Sequence, residues 1–267
     1  MSPFSRLLQW MRAKDFSNLD SVESTNLDAA RIKAKPVLRR IYLRKYGAMA
    51  AAMEEYAQVG DGPMLELGSG GGFFRDVLPG LTTSDIKPLD YVDQVEDAES
   101  LSFEDGTLRA IFAMHVFHHI PQVRRFLSEV VRCLKPGGTL VMIEPNDGFV
   151  AKFFFTRAHP EPFDRERADW SFPSAGPASG SNQAMAYLVF KRDRNIFEDE
   201  FPELELTRIR ADTLVEYLAS GGVLYRQLLP RFCFPLLRLV DWLLTPAMPL
   251  LGLHQLIVVR KRLSEHK

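Results

Sequence analysis

Cysteine is scarce in this 267-residue chain, which holds only Cys133 and Cys233. A pair so far apart excludes a disulfide scaffold and has no metal-ligand spacing. Neither sign of charge is in excess, with 33 Lys and Arg against 34 Asp and Glu and a net charge of −1. That balance gives no support to a nucleic-acid partner, and none is expected. An uninterrupted apolar run is missing as well. The most apolar stretch, Leu228–Leu251, contains Arg231, Arg238 and Asp241, together with Pro230, Pro235, Pro246 and Pro249. A membrane-spanning helix needs about 20 predominantly apolar residues, so this stretch is not read as one. Met1–Asp15 lacks the apolar stretch and small-residue cleavage site of a signal peptide. The expected location is therefore the reducing cytosol, peripheral at the membrane if the apolar stretch touches it. No internal repeat is visible.

Hydrophobic residues make up 46% and charged residues 25%, an ordinary globular balance. Residues 1–60 read as a helical extension: Pro36 can open a helix, and Val37, Leu38, Ile41, Tyr42 and Tyr46 recur at helical spacing. From 61 to 145, short apolar runs alternate with helical patterns. Met64–Leu67, Leu81–Asp85, Leu108–Met114 and Thr139–Ile143 read as strands. Phe73–Leu78 reads as a helix, and so does the segment after Pro121, where Val123, Phe126, Leu127, Val130 and Leu134 share one face. Such alternation predicts an α/β fold with a parallel sheet. Residues 146–202 read as an inserted cap or lid, with Phe153–Phe155 and a Ser/Gly/Pro/Ala stretch at Ser171–Ser181. Residues 203–267 read as the return to the α/β core, with strands at Leu204–Ile209 and His254–Val259 and a short helix at Asp212–Ser220. On a helix over Pro235–Leu244, Arg238 and Asp241 share one face and the rest is apolar. The first reading buries that stripe in the core or a channel wall, and the second lays it on a membrane surface.

The chemistry concentrates in the loop that leaves the first strand, at Glu66-Leu67-Gly68-Ser69-Gly70-Gly71-Gly72. Ligands of open α/β sheets bind at such strand ends, and glycine lets the backbone approach them closely. A phosphate-binding Walker loop requires Gly-Lys-Ser/Thr, where this chain has Phe73 and Phe74. A dinucleotide fingerprint requires a third glycine at the position of Phe73. The actual pattern is acid-x-Gly-x-Gly-x-Gly, with Asp85 at the end of the second strand.

This pattern resembles the first motif of the class I S-adenosylmethionine-dependent methyltransferases, in detail those of the type 11 small-molecule group. Further segments agree in order: Asp97-Ala98 with Leu101-Ser102-Phe103, His115-Val116-Phe117-His118-His119-Ile120, and Lys135-Pro136-Gly137-Gly138. The resemblance covers residues 60–145 and implies a Rossmann-like class I methyltransferase sheet, here with an N-terminal helical extension and an inserted helical cap. It implies S-adenosyl-L-methionine as cofactor, with Glu66, Gly68, Ser69, Gly70 and Gly72 around its methionine part. It also implies Asp85 and Ile86 at the ribose, Asp97 and Ala98 at the adenine, and His115 beneath the methionine end. His118, His119 and Glu144 are the candidate bases for the acceptor. No metal is expected, because adjacent histidines diverge and no carboxylate spacing supports them.

The Asn/Asp-Pro-Pro-aromatic motif of many nitrogen methyltransferases is replaced by His115-Val116-Phe117-His118, which favours oxygen or carbon as the methylated atom. Aromatic residues interleaved with Arg157, Arg165 and Arg167 in the cap suggest a small hydrophobic or lipid-like acceptor. Two alternatives stay open at this point, a non-catalytic cofactor-binding partner protein and a nicotinamide-dependent oxidoreductase.

Overall fold

The computed structural model describes residues 20–174, 176 and 180–263. The signal-peptide reading of Met1–Asp15 and part of Ser171–Ser181 lie outside the described residues.

Seven strands form one sheet: β1 Met64–Leu67, β2 Leu81–Asp85, β3 Gln94–Val95, β4 Leu108–Met114, β5 Leu134–Pro145, β6 Leu204–Asp212 and β7 His254–Lys261. Their spatial order is β3-β2-β1-β4-β5-β7-β6. The first five run parallel, while β7 lies antiparallel to both β5 and β6. This is the Rossmann-like α/β sheet expected. Strand β4 is apolar nearly throughout because both of its faces are covered. Ile111 and Ala113 face a core with Phe126, Leu127 and Val130 of helix α3 (Val123–Cys133). Ala110 and Phe112 face the opposite core, built with Leu38, Tyr46, Met49 and Met53. Those four belong to helix α2 (Pro36–Tyr56), so this part of the N-terminal extension is one of the layers of the fold. Helix α1 (Val22–Ala34) precedes it, capped by the Ser21 hydroxyl, which accepts from Ser24 N at 3.0 Å.

Three local expectations change. After the glycine loop there is only a 3-10 turn, Phe74–Asp76, in place of a helix over Phe73–Leu78. Phe73 and Phe74 instead wedge against Tyr46, with the Phe74 and Tyr46 rings stacked at 4.6 Å. Lys135-Pro136-Gly137-Gly138 is an irregularity within β5, where the register to β4 slips between Leu108 and Ala110. Gly137 takes a φ of +84° there, which suits glycine.

The third change concerns the apolar C-terminal helix, α7 (Phe234–Leu243); α4 (Phe149–Arg157), α5 (Arg194–Glu200) and α6 (Val215–Ser220) come before it in the chain. Its apolar stripe is not buried. Leu236 is 64% exposed, Trp242 69% and Leu243 62%, and Phe232 just before the helix is 82% exposed. Of its two charged residues, Asp241 turns inward instead, while Arg238 stays exposed. Asp241 accepts from the backbone N–H groups of Val215 at 2.8 Å, Glu216 at 3.1 Å and Leu214 at 3.5 Å. It thereby satisfies the otherwise orphaned amides at the N-terminus of α6. Asp241→Ala is expected to lower stability by about 2 kcal/mol, the cost of buried amides left without an acceptor. A urea midpoint equal to that of wild type counts against this anchoring.

Candidate active site

The glycine loop leaves β1 and turns sharply. Gly68 has φ +60° and Gly70 φ +47°, and a Cβ on Gly68 would lie 2.4 Å from Val116 Cγ2. Glu66 is buried at the end of β1, and its Oε2 accepts from the Ser69 hydroxyl at 2.8 Å. Ser69 is held in turn by Ser84, whose N–H donates to Ser69 Oγ at 3.2 Å. Burial raises the Glu66 pKa to about 7, against the Ser69 hydrogen bond, which pulls it down. Helix α1 lies over the loop: a Cβ on Gly71 would meet Ala29 N at 2.6 Å, and Lys87 Nζ donates to Thr25 Oγ1 at 3.0 Å.

Two cavities share Gly68 and His119 in their walls. The first, about 570 Å³, is lined by Glu66 and residues 68–72, by His115, His118 and His119, and by Phe153 and Leu228 from the outer segments. The second, about 530 Å³, is lined by Ile86, Asp97, Ala98 and Val116. The structure thus brings the expected methionine-end residues to one cavity and the expected adenine-end residues to the other.

Asp85 and Glu144 depart from expectation. Asp85 Oδ2 accepts from Gly70 N and its Oδ1 from Lys87 N, both at 3.0 Å. It braces the loop and lines neither cavity. Glu144, the expected base, is fully buried and lines neither cavity either. Its Oε1 accepts from Val116 N and Phe117 N, each at 2.9 Å, and its Oε2 meets His118 Nδ1 at 2.6 Å. With three donors satisfied, it orients His118 and does not reach an acceptor.

The histidines converge. His118 Nε2 lies 3.5 Å from Glu161 Oε2, and His119 Nε2 lies 3.7 Å from the same oxygen. Gln183 Nε2 also donates to that oxygen. Burial opposes a charge on His118, but Glu144 and Glu161 outweigh it and raise its pKa to about 10. A group charged at neutral pH is no base, which corrects that expectation for His118. Burial and His118 lower His119, whose Nδ1 lies 3.2 Å from the Gly180 carbonyl oxygen. The expectation that the adjacent pair diverges also fails. A 3-10 turn, Phe117–His119, brings the two rings to 4.4 Å between centroids.

His115 sits in the left-handed region with φ +59°. An L-residue there costs roughly 1–3 kcal/mol, a strain found most often at functional sites. Its Nε2 lies 3.3 Å from Lys45 Nζ, and its ring packs on His254 at 4.7 Å. Burial drops the Lys45 pKa to about 7, with Asp212 and Glu144 opposing. Burial and Lys45 keep His115 well below the ordinary histidine value, so it is neutral.

Sequence reasoning missed Lys45, Glu161 and His254. For Glu161 a signal exists, His159-Pro160-Glu161-Pro162, where two prolines restrict the backbone and present an alternating pair of polar side chains. Lys45 lies within a helical pattern and His254 at a strand start, and neither position carries a local mark.

A family model described as a methyltransferase domain matches residues 65–142. Among curated proteins, the chain is similar to phthiotriol/phenolphthiotriol dimycocerosates methyltransferase 1 of Mycobacterium ulcerans, 47% identical over 45 residues, which cover 17% of each chain. It is also similar to 2-methyl-6-phytyl-1,4-hydroquinone methyltransferase of Synechocystis, 33% identical over 90 residues, covering 32% of this chain and 27% of that one. These matches span less than a third of either relative. Among solved structures, a SAM-dependent methyltransferase from Archaeoglobus fulgidus aligns over 81% of this chain and 92% of that one, with 14% identity and a TM-score of 0.47.

Proposed function

We propose that residues 65–142, which a methyltransferase-domain model matches, form a class I S-adenosylmethionine-dependent methyltransferase domain, and that the chain methylates a small, lipid-like acceptor at a membrane surface, on oxygen or carbon. One observation carries the reading: a cavity containing a buried carboxyl opens beside an exposed apolar helix. The carboxyl is that of Glu66, and the shared margin is Phe153 and Leu228, which line the cavity and are 54% and 51% exposed.

The residues present fit the cofactor. Its ammonium group needs a carboxylate, and Glu66 offers one whose burial disfavours the unpaired charge. Gly68 and Gly70 let the backbone approach the methionine part, with Ser69 steadying Glu66 and Gly72 and His115 completing the wall. Ile86 and Ala98 offer apolar contact to the adenine, and Asp97 an acceptor for its amino group. Asp85, which lines neither cavity, supports the cofactor indirectly by bracing the loop through Gly70 N and Lys87 N. When bound, the cofactor supplies an electrophilic methyl on sulfur. The chain's own residues position the acceptor against it. Glu144 acts as a positioning residue through His118.

The membrane reading rests on charge and continuity. Arg226, Arg231 and Arg238 are exposed around the apolar surface, whereas Asp241, the acid of that segment, is turned inward. Such a surface suits an anionic lipid headgroup layer with apolar side chains set below it. No single helix among the described residues is long and apolar enough to cross a membrane, while the bent pair Arg231–Leu243 and Thr245–Leu251 meets the length and composition of a broken span. Lying on the surface is the geometry Asp241 favours, since it pins α7 to the body of the protein. The relatives named for a phytyl hydroquinone and for phthiotriol dimycocerosates are in keeping with an apolar acceptor.

Thermal unfolding with S-adenosylhomocysteine tests the cofactor. At one hundred times Kd, binding adds about 2.7 kcal/mol, a rise in Tm of roughly 5–11 °C for a chain of this size. Transfer of labelled methyl to quinols and extracted polar lipids then tests the acceptor. No thermal shift at saturating ligand removes the cofactor reading. A shift without transfer to any acceptor leaves a cofactor-binding partner protein. Phe153→Ala is expected to raise the acceptor KM roughly 5–30-fold, as loss of uniform binding does, with the S-adenosylhomocysteine shift unchanged. An unaltered KM places Phe153 outside the acceptor path.

A further inference from the structure

We propose that His118 Nε2, His119 Nε2 and Glu161 Oε2 form a binding site for one zinc-class divalent ion, open on the fourth side to the acceptor. The three ligand atoms lie within 4.8 Å of one another. The two histidine nitrogens lie 3.5 and 3.7 Å from the carboxylate oxygen. Ligands held at about 2.0–2.1 Å from a tetrahedral ion are separated by about 3.4 Å, so small side-chain shifts complete the geometry. Two histidines and one carboxylate with a free position is the ligand count of a catalytic site, where structural sites are closed.

Both histidines carry the outer partners that metal-bound imidazoles have. A ligating histidine almost always passes its other N–H to a carboxylate or a backbone carbonyl, which fixes the tautomer and the ring. His118 Nδ1 meets Glu144 Oε2 at 2.6 Å, and His119 Nδ1 meets the Gly180 carbonyl at 3.2 Å. Each acceptor holds a proton on Nδ1, which leaves Nε2 as the atom an ion would take, on His118 in place of the proton it otherwise shares with Glu161. Glu161 is steadied by Gln183. Charge points the same way. Glu144 and Glu161 are two carboxylates whose only ion-pair partners among the described residues are histidines. A divalent ion balances both, whereas one proton on His118 balances one.

The open position faces the 570 Å³ cavity, which the two histidines and Glu161 line. An acceptor hydroxyl bound there loses its proton to solvent water, because the ion stabilises the oxyanion. Its oxygen then forms the C–O bond as the S–C bond breaks and the sulfur keeps the electron pair. The ion is neither oxidised nor reduced. This use of the site rests on the methyl-transfer reading, but ion binding does not.

The test is titration of chelator-treated full-length protein with zinc by calorimetry and with cobalt(II) by visible absorption. One equivalent is expected to bind, with tetrahedral-type cobalt bands. His119→Ala and Glu161→Gln are each expected to weaken zinc binding about 100-fold or more, while Cys233→Ser leaves it unchanged. Far-UV circular dichroism establishes that each variant is folded. No stoichiometric binding overturns the proposal, as does wild-type affinity in either ligand variant. The S-adenosylhomocysteine shift is read on the same metal-free protein. A shift without zinc binding sinks the ion site alone, and zinc binding without a shift sinks the methyl-transfer reading alone.

Discussion

Glu66→Gln is expected to weaken S-adenosylhomocysteine binding roughly 10–150-fold at pH 7.5, the loss of about 1.5–3 kcal/mol that accompanies a hydrogen bond to a charged group. Solvation sets the size of the effect. Glu66 is 3% exposed, held by Ser69, and faced by Tyr46 from α2, Asp85 from β2 and Arg75 beyond the loop. Burial raises its pKa from 4.5 to about 7 in the free protein. A raised folded-state pKa gives stability that is fully present below 4.5 and lost as pH climbs through 7. The free protein is therefore expected to lose about 3 kcal/mol across that window on this account alone. A ligand ammonium reverses the preference, because it favours the charged carboxylate. Affinity for S-adenosylhomocysteine should therefore rise with pH, roughly 20-fold between pH 5.5 and 7.5, and then level off. Glu66→Gln should flatten the curve. Calorimetry at several pH values reads both effects, and a flat wild-type curve would show that no ammonium meets Glu66.

Phe232→Ser combined with Trp242→Ser is expected to abolish sedimentation with phosphatidylglycerol-containing vesicles. Each aromatic removed from a lipid contact forfeits about 1.5–3 kcal/mol, or roughly 10–150-fold per residue. Both side chains are more than two-thirds exposed and make no part of a buried core. Stability and the S-adenosylhomocysteine shift should therefore stay at wild-type values. High salt should weaken the wild-type association through Arg231 and Arg238, without removing the apolar part. Undiminished vesicle binding by the double variant would move the contact elsewhere on the molecule.

The glycine loop and the strands around it were legible in the sequence because their constraints are local. Acid-x-Gly-x-Gly-x-Gly fixes a turn that only glycine makes comfortably, and β4 announces two covered faces by being apolar but for Arg109. The histidine cluster facing the first cavity was less legible, because it is assembled from distant positions. Lys45, His115 and His254 meet from three separate elements, and although the sequence marked His115, nothing at Lys45 or His254 marks the meeting. Glu144 misled for a related reason. Its position just past the cavity-bearing strand end suggested a base, yet the backbone N–H groups of Val116 and Phe117 claim its carboxylate. Helix α7 misled in the opposite sense: an apolar stripe implies a covering, and the sequence does not say whether that covering is protein.

Strand β7 comes last among the strands but lies between β5 and β6, pairing with both along nearly its whole length. The order of synthesis is thus at odds with the order in space. Until residues 254–261 have emerged, β5 and β6 each present an open edge, and β6 has no strand to join. A nascent or truncated chain in that state offers two unpaired ladders to its neighbours, a ready template for aggregation. The sheet can close only once β7 has emerged, so a stop codon a few residues before His254 would remove the strand that joins β6 to β5.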